Sequence, residues 1–191
     1  MTLPNKLTLA RLILTPVGLT LLYVNTIPYN YLCAAIIFMI AMLTDVADGY
    51  IARNYDCVTK LGSFLDPITD KLILLLHLIA LQTLSLYPLW LILAFTAREL
   101  IVDAARNYAA SQNHYLRANN SGKGKAFLQT VSILSALIYL SASHSQLFGI
   151  SLDGAFWRRL PFYTLLAAFL VGLIGVGIVI VDAHALFSDT S

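Results

Sequence analysis

Charge is what this sequence has least of. Charged residues make up 12% of the 191, about half the quarter that is usual in soluble proteins. Hydrophobic residues make up 59%, and mean hydropathy is +0.77. That balance excludes an ordinary soluble domain and points to a polytopic membrane protein. The net charge of +2 is too small to argue for a nucleic-acid partner. Cysteine is nearly absent as well. Cys33 falls within an apolar run and Cys57 in a short loop, with no C-x-x-C spacing, so each reads as a small apolar side chain rather than half of a structural disulfide. Residues 1–6 are too short for a separate charged leader, and no small-residue cleavage site follows the first apolar run. That run is therefore expected to be a retained span. No internal repeat or low-complexity tract divides the chain, so residues 1–191 are expected to form one domain.

The apolar runs fit an all-α fold of six membrane-spanning helices in one bundle, each long enough for the roughly 20 residues a span needs. They lie at about Leu7–Asn25, Tyr29–Arg53, Ser63–Leu86, Pro88–Ser111, Gly122–Ala142 and Leu160–Leu186. Ser63 reads as the N-cap of the third, with Pro67 in its first turn. Pro161 closes the loop before the sixth. Ten of the twelve Lys and Arg residues fall at one end of this arrangement and only Arg158 and Arg159 at the other. Such an excess places both termini, and the end that carries the charge, on the cytoplasmic side.

The charges that remain are not spread evenly. Five of the ten acidic residues lie between positions 45 and 70, in the pattern Asp45-x2-Asp48-Gly49-x2-Ala52-Arg53-x8-Gly62-x3-Asp66-x3-Asp70. Asp45 and Asp48 share one helix face, and Asp66 and Asp70 share a face of the next helix. A short connection makes those helices antiparallel neighbours, so the four carboxylates converge at the cytoplasmic end. A lone Asp–Arg pair on a helix is ordinarily a salt bridge and nothing more. Four acids at these spacings in an apolar chain repel unless a cation joins them. All-oxygen ligands select Mg²⁺ or Mn²⁺, and four carboxylates suffice for a two-metal site. The small residues Gly49 and Ala52 would let a phosphorylated group lie against the backbone, Arg53 would clamp phosphate, and Gly62 permits the turn into the third helix.

The stretch LTDVADGYIARNYDCVTKLGSFLDPITDKL closely resembles the signature of the CDP-alcohol phosphotransferases, integral membrane enzymes of phospholipid synthesis, with every fixed position present. The resemblance implies a six-helix bundle with a polar cavity open to the cytoplasm and CDP-diacylglycerol as donor. It implies Asp45, Asp48 and Asp66 as metal ligands and Asp70 as ligand and general base. Gly49, Arg53 and Thr59 would contact the CDP-lipid head group, beside Ala52 and Gly62. It also implies a homodimer among membrane lipids.

The family differs in the acceptor alcohol. PNKLTLARLILTP, ARELIVDAARNYAA and GKGKAFLQT look most like the phosphatidylglycerophosphate-forming branch, whose acceptor is glycerol 3-phosphate. Asp103 stands where that branch has a small or hydroxyl residue, and Ala126 where Thr is usual. A dianionic acceptor wants fixed cations, and Arg98, Arg106, Lys123 and Lys125 are the candidates for its phosphate. The same cations would otherwise form a collar against anionic lipid. Two alternatives stand beside this one: a cardiolipin synthase of the same family, with phosphatidylglycerol as acceptor, and a divalent-cation transporter using the same acids. His77, in a Leu-rich run, reads as a satisfied core histidine. The last 60 residues carry no motif.

Overall fold

The computed structural model describes the backbone of residues 3–54, 60–112, 120–145 and 154–188, and the side chains of residues 7–45, 67–112, 122–144 and 154–181. Six helices account for nearly all of it: α1 (Leu3–Leu21), α2 (Asn30–Asn54), α3 (Lys60–Thr83), α4 (Leu89–Ser111), α5 (Asn120–Ser145) and α6 (Ala155–Ser188). No strand occurs among the described residues.

The helices match the six apolar runs with several boundaries moved, and α1 begins and ends four residues earlier than its run. Helix α3 begins at Lys60, so Ser63 lies inside it rather than at its N-cap, and Pro67 is its eighth residue. Helix α6 begins at Ala155 and passes through Pro161, its seventh residue. Proline signals a break because it lacks an N–H and crowds the preceding turn. In an apolar surrounding the helix is the arrangement that satisfies the rest of the backbone, and side chains take up freed carbonyls. The carbonyl of Pro161 itself accepts from Ser132 Oγ of α5 at 2.6 Å and from Thr164 Oγ1 at 2.9 Å, which ties α6 to α5 at this point.

Helices α5 and α6 pack along one another, as do α1 and α2. Helix α2 also lies on α5, α1 on α3, α4 on α6, and α3 on both α4 and α5. Gly18 permits the close approach of α1 to α2, since a Cβ there would stand 3.1 Å from Ile37 Cγ2. Phe38, Leu78, Leu81, Leu91, Ile133 and Leu165 fill the centre. His77 is buried among them, donates from Nδ1 to the Ile73 carbonyl at 2.8 Å and lies against the Phe38 ring, which makes it the satisfied core histidine expected.

Polar contacts fix which helix ends lie together. Tyr23, just past α1, meets Thr83 at the end of α3 at 2.8 Å, and Asn30 at the start of α2 donates to the Leu21 carbonyl at 3.1 Å. Tyr31 of α2 lies on His144 near the end of α5. At the opposite end, α1, α2 and α3 meet through Arg11, Asp45 and Asp70. Helices α1 and α3 therefore run in parallel, and α2 runs against both.

Many large apolar side chains face outward. Ile13, Leu43, Leu93, Leu100, Phe127, Ile174 and Val181 are each around 60% exposed or more. Among the described residues, two helical stretches are long and apolar enough to cross a membrane, Gly122–His144 and Ala155–Val181; shorter apolar stretches lie at Leu7–Leu21 and Asn30–Asp45.

Candidate active site

The acidic motif straddles α2 and α3. Asp45 sits in the described part of α2, and Asp48, Gly49, Ala52 and Arg53 continue the same helix; Gly62, Asp66 and Asp70 lie on α3. The side chains of Asp48, Gly49, Ala52, Arg53, Gly62 and Asp66, and the whole of Thr59, lie outside the described residues.

The two carboxylates that are described come together, and an arginine brings them there. Arg11 of α1 is completely buried, and its Nη1 donates to Asp70 Oδ1 at 2.8 Å and also to Asp45 Oδ1. Both aspartate side chains stay over one-third exposed, at 36% and 38%. One nitrogen thus gathers the first and last acids of the motif from positions 34 and 59 residues away. The sequence marks Arg11 only as a charge that helps set orientation. Its partners are too distant along the chain for any spacing to show them. A cation inside an apolar run is the one local sign that it has a role.

The donor set fits a hard divalent cation. Carboxylates from two helices already converge on a single positive nitrogen, and each side chain stays over one-third exposed. No group of three or more ligating residues is complete among the described side chains, since Asp48 and Asp66 fall outside them.

A cavity of about 330 Å³ opens between α3, α4 and α5. Asp70 and Lys71 line it from α3, Phe95 and Glu99 from α4, and Lys125 and Gln129 from α5. Its size falls at the small end of ligand pockets. Glu99 organises the cationic side. Its Oε1 accepts from Lys125 Nζ at 2.6 Å and from Arg98 Nη1 at 2.7 Å. Lys125 Nζ also stands 5.6 Å from the centre of the Phe95 ring, within range of a cation–π contact. Arg98 is buried behind this wall and donates to the carbonyl of Gly172 in α6.

The four cations considered for the acceptor are therefore not equivalent. Lys125 lines the cavity and Arg98 supports it, joined through Glu99. Arg106 is exposed and lines a neighbouring groove on α3 and α4 with Lys71 and Asp103; Lys123 is exposed at the start of α5. Asp103, the departure from the expected residue type, has a partner on α3: Lys71 Nζ reaches its Oδ1 at 2.6 Å. The pair ties α3 to α4 beside the cavity. Glu99 went unrecognised as a site residue in the sequence. The signal available was an acid inside an apolar helix, next to an arginine.

Comparison with known proteins bears on this geometry. A sequence model of the family described as CDP-alcohol phosphatidyltransferase matches residues 1–181. A protein of Bacillus subtilis (strain 168) named CDP-diacylglycerol--glycerol-3-phosphate 3-phosphatidyltransferase is 36% identical over 148 residues, covering 72% of this chain and 77% of its own length. One of the same name from Rickettsia bellii is 35% identical over 155 residues, covering 80% of this chain and 82% of its own. A chloroplastic/mitochondrial protein of Arabidopsis thaliana with that name, numbered 1, is 38% identical over 157 residues, covering 75% of this chain and 51% of its own.

Proposed function

The chain belongs to the CDP-alcohol phosphatidyltransferase family, and on that premise we propose that it is a phosphatidylglycerophosphate synthase, transferring the phosphatidyl group of CDP-diacylglycerol to glycerol 3-phosphate and releasing CMP. The observation that carries the reading is the cavity shared by Asp70 and Lys125. It offers a base for a hydroxyl and a cation for a phosphate within one small space. Relatives bearing the name of that activity match most of the chain, which supports the same acceptor.

Asp45, Asp48, Asp66 and Asp70 are the residues that would hold Mg²⁺ or Mn²⁺, and the bound metal would supply charge neutralisation to the donor's diphosphate. Arg53 takes the phosphates of the CDP-lipid, with Gly49, Ala52, Thr59 and Gly62 giving its head group room and contacts. Lys125 faces the acceptor's phosphomonoester from the cavity wall, with Arg98 behind it through Glu99, and Arg106 and Lys123 are the outer cations of that side. Asp70 accepts the proton of the acceptor's 1-hydroxyl. The freed oxygen bonds to the phosphorus that carries diacylglycerol. The bond from that phosphorus to the bridging oxygen breaks, and CMP departs with the electron pair.

In this reading the protein is a multi-pass protein of a bacterial cytoplasmic membrane, with its termini and site on the cytoplasmic side. The outward-facing apolar side chains support it, as does the placing of Arg158 and Arg159 at the end away from Arg11, Asp70 and Lys125. The reading includes a homodimer, which light scattering of the purified protein checks.

The test is CMP release by purified protein with CDP-diacylglycerol and Mg²⁺ or Mn²⁺. Glycerol 3-phosphate should stimulate release strongly, and phosphatidylglycerol should not. Stimulation by phosphatidylglycerol alone would make the protein a cardiolipin synthase. No CMP release with any alcohol would return the acids to a transport role.

A further inference from the structure

Helix α6 carries no motif, yet it reaches the cationic side of the cavity through one backbone carbonyl. Arg98 is only 7% exposed, and it donates to the Gly172 carbonyl from Nε at 3.0 Å and from Nη2 at 2.7 Å. Its Nη1 donates to Glu99, which also accepts from Lys125. One carboxylate thus holds two cations, and α6 holds one of those cations from behind. Two like charges stay side by side in an apolar surrounding only where each is tightly paired.

The residue that presents the carbonyl has no side chain, and the space explains why. A Cβ at position 172 would stand 3.3 Å from Arg98 Nε, 3.4 Å from Lys125 Cδ and 3.5 Å from Lys125 Cγ. The first is tighter than ordinary van der Waals contact and the second is at its edge, and both side chains are already fixed by hydrogen bonds. Gly177, one and a half turns further along the same helix, has nothing within 4 Å of the equivalent point. Glycine is the poorer helix former, so its presence at 172 is not explained by helix stability.

We propose that Gly172 is a positioning residue for acceptor binding: its bare backbone lets α6 hold Arg98 behind Glu99 and leaves room for the Lys125 stem, so that Lys125 faces the acceptor's phosphate in the correct register. The inference rests on Lys125, backed by Arg98 through Glu99, binding that phosphate, as proposed above. A side chain at 172 would push the guanidinium and the lysine stem away by a few tenths of an ångström or more, loosening the hold on acceptor while leaving the donor side untouched.

Steady-state kinetics on the full chain in mixed micelles test it. Gly172→Ala should raise the KM for glycerol 3-phosphate about three- to tenfold, with the KM for CDP-diacylglycerol unchanged. Gly172→Val should raise it further, and Gly177→Ala should match the parent. Combined with Arg98→Gln, Gly172→Ala should add less than it does alone, because the two act through one contact. If Lys125→Ala raises the acceptor KM and neither Gly172 variant does, the proposal fails and the acceptor site stands. A fall in kcat with both KM values unchanged would show a merely structural role and also overturn it. If Lys125→Ala leaves the acceptor KM unchanged, the acceptor site itself is wrong and this inference falls with it. Should the valine variant not fold, the alanine variant and the double-mutant comparison decide.

Discussion

Arg11 stands where two carboxylates would otherwise repel one another. Two carboxylates from different helices meet at its Nη1, and removing one member of such a set leaves the rest without compensation. Arg11→Gln is therefore expected to lower the melting temperature in the presence of a chelator. A divalent cation bound by the same aspartates would supply the missing charge, so Mg²⁺ should restore much of the loss. Melting curves of both proteins with chelator and with Mg²⁺ measure this. An equal deficit in the two conditions would mean that Arg11 and the metal do not act on the same acids. Asp70→Asn probes the other function of the site. It keeps the shape and removes the base, so turnover should drop about 10²–10⁴-fold, while binding of CDP-diacylglycerol, followed by equilibrium titration, should survive. Near-normal turnover with metal bound would remove Asp70 from the base's role.

Helix ends show how local chemistry and packing divide the work. Helix α3 closes with Leu86 N–H donating to the Leu81 carbonyl at 3.2 Å and Ser85 N–H donating to the Gln82 carbonyl at 2.8 Å. That is the pairing of a Schellman cap, and Ser85 occupies its left-handed position with φ 60°. Glycine belongs there on steric grounds. Ser85→Gly should stabilise the protein by roughly 0.5–1 kcal/mol, relief of the left-handed strain outweighing glycine's greater chain entropy, and thermal melting would register it. The Lys71–Asp103 pair is about 40% exposed on both sides (44% and 36%), so Asp103→Ser should change stability by less than about 1 kcal/mol. The elements themselves were legible because long apolar runs between polar stretches leave few other choices. The interior positions of Pro67 and Pro161 were not, since proline's local penalty marks a break and only the surrounding bundle overrides it. The acidic motif was legible because its spacing is short-range. Arg11 and Gly172 were not, because each acts on residues that lie far off in the chain and adjacent only after the bundle forms.

The whole molecule is polarised along the bundle axis. Arg11, Asp45, Asp70, Glu99 and Lys125 gather near one end. Ser85, Tyr139, Gly154 and Arg158 line a groove together, and the contacts of Tyr23 and Thr83 place that turn at the other end. Between them runs a surface of exposed Leu, Ile, Val and Phe, a band that water would penalise by about 25 cal/mol for each Å² and that acyl chains would cover at no such penalty. In the orientation proposed above, the charged end lies on the cytoplasmic side. Thiol labelling reads that orientation directly. Gln112 and Gly154 are both exposed, the first after α4 on the side of Arg106, the second before α6 beside Arg158. With Cys33 and Cys57 replaced by alanine and serine, Gly154→Cys should react with an impermeant maleimide in intact cells. Gln112→Cys should react only after the membrane is opened. The reverse pattern would invert the protein and put the site outside, away from any cytoplasmic supply of glycerol 3-phosphate. Labelling of both positions in intact cells would mean that the segment between them does not separate two compartments.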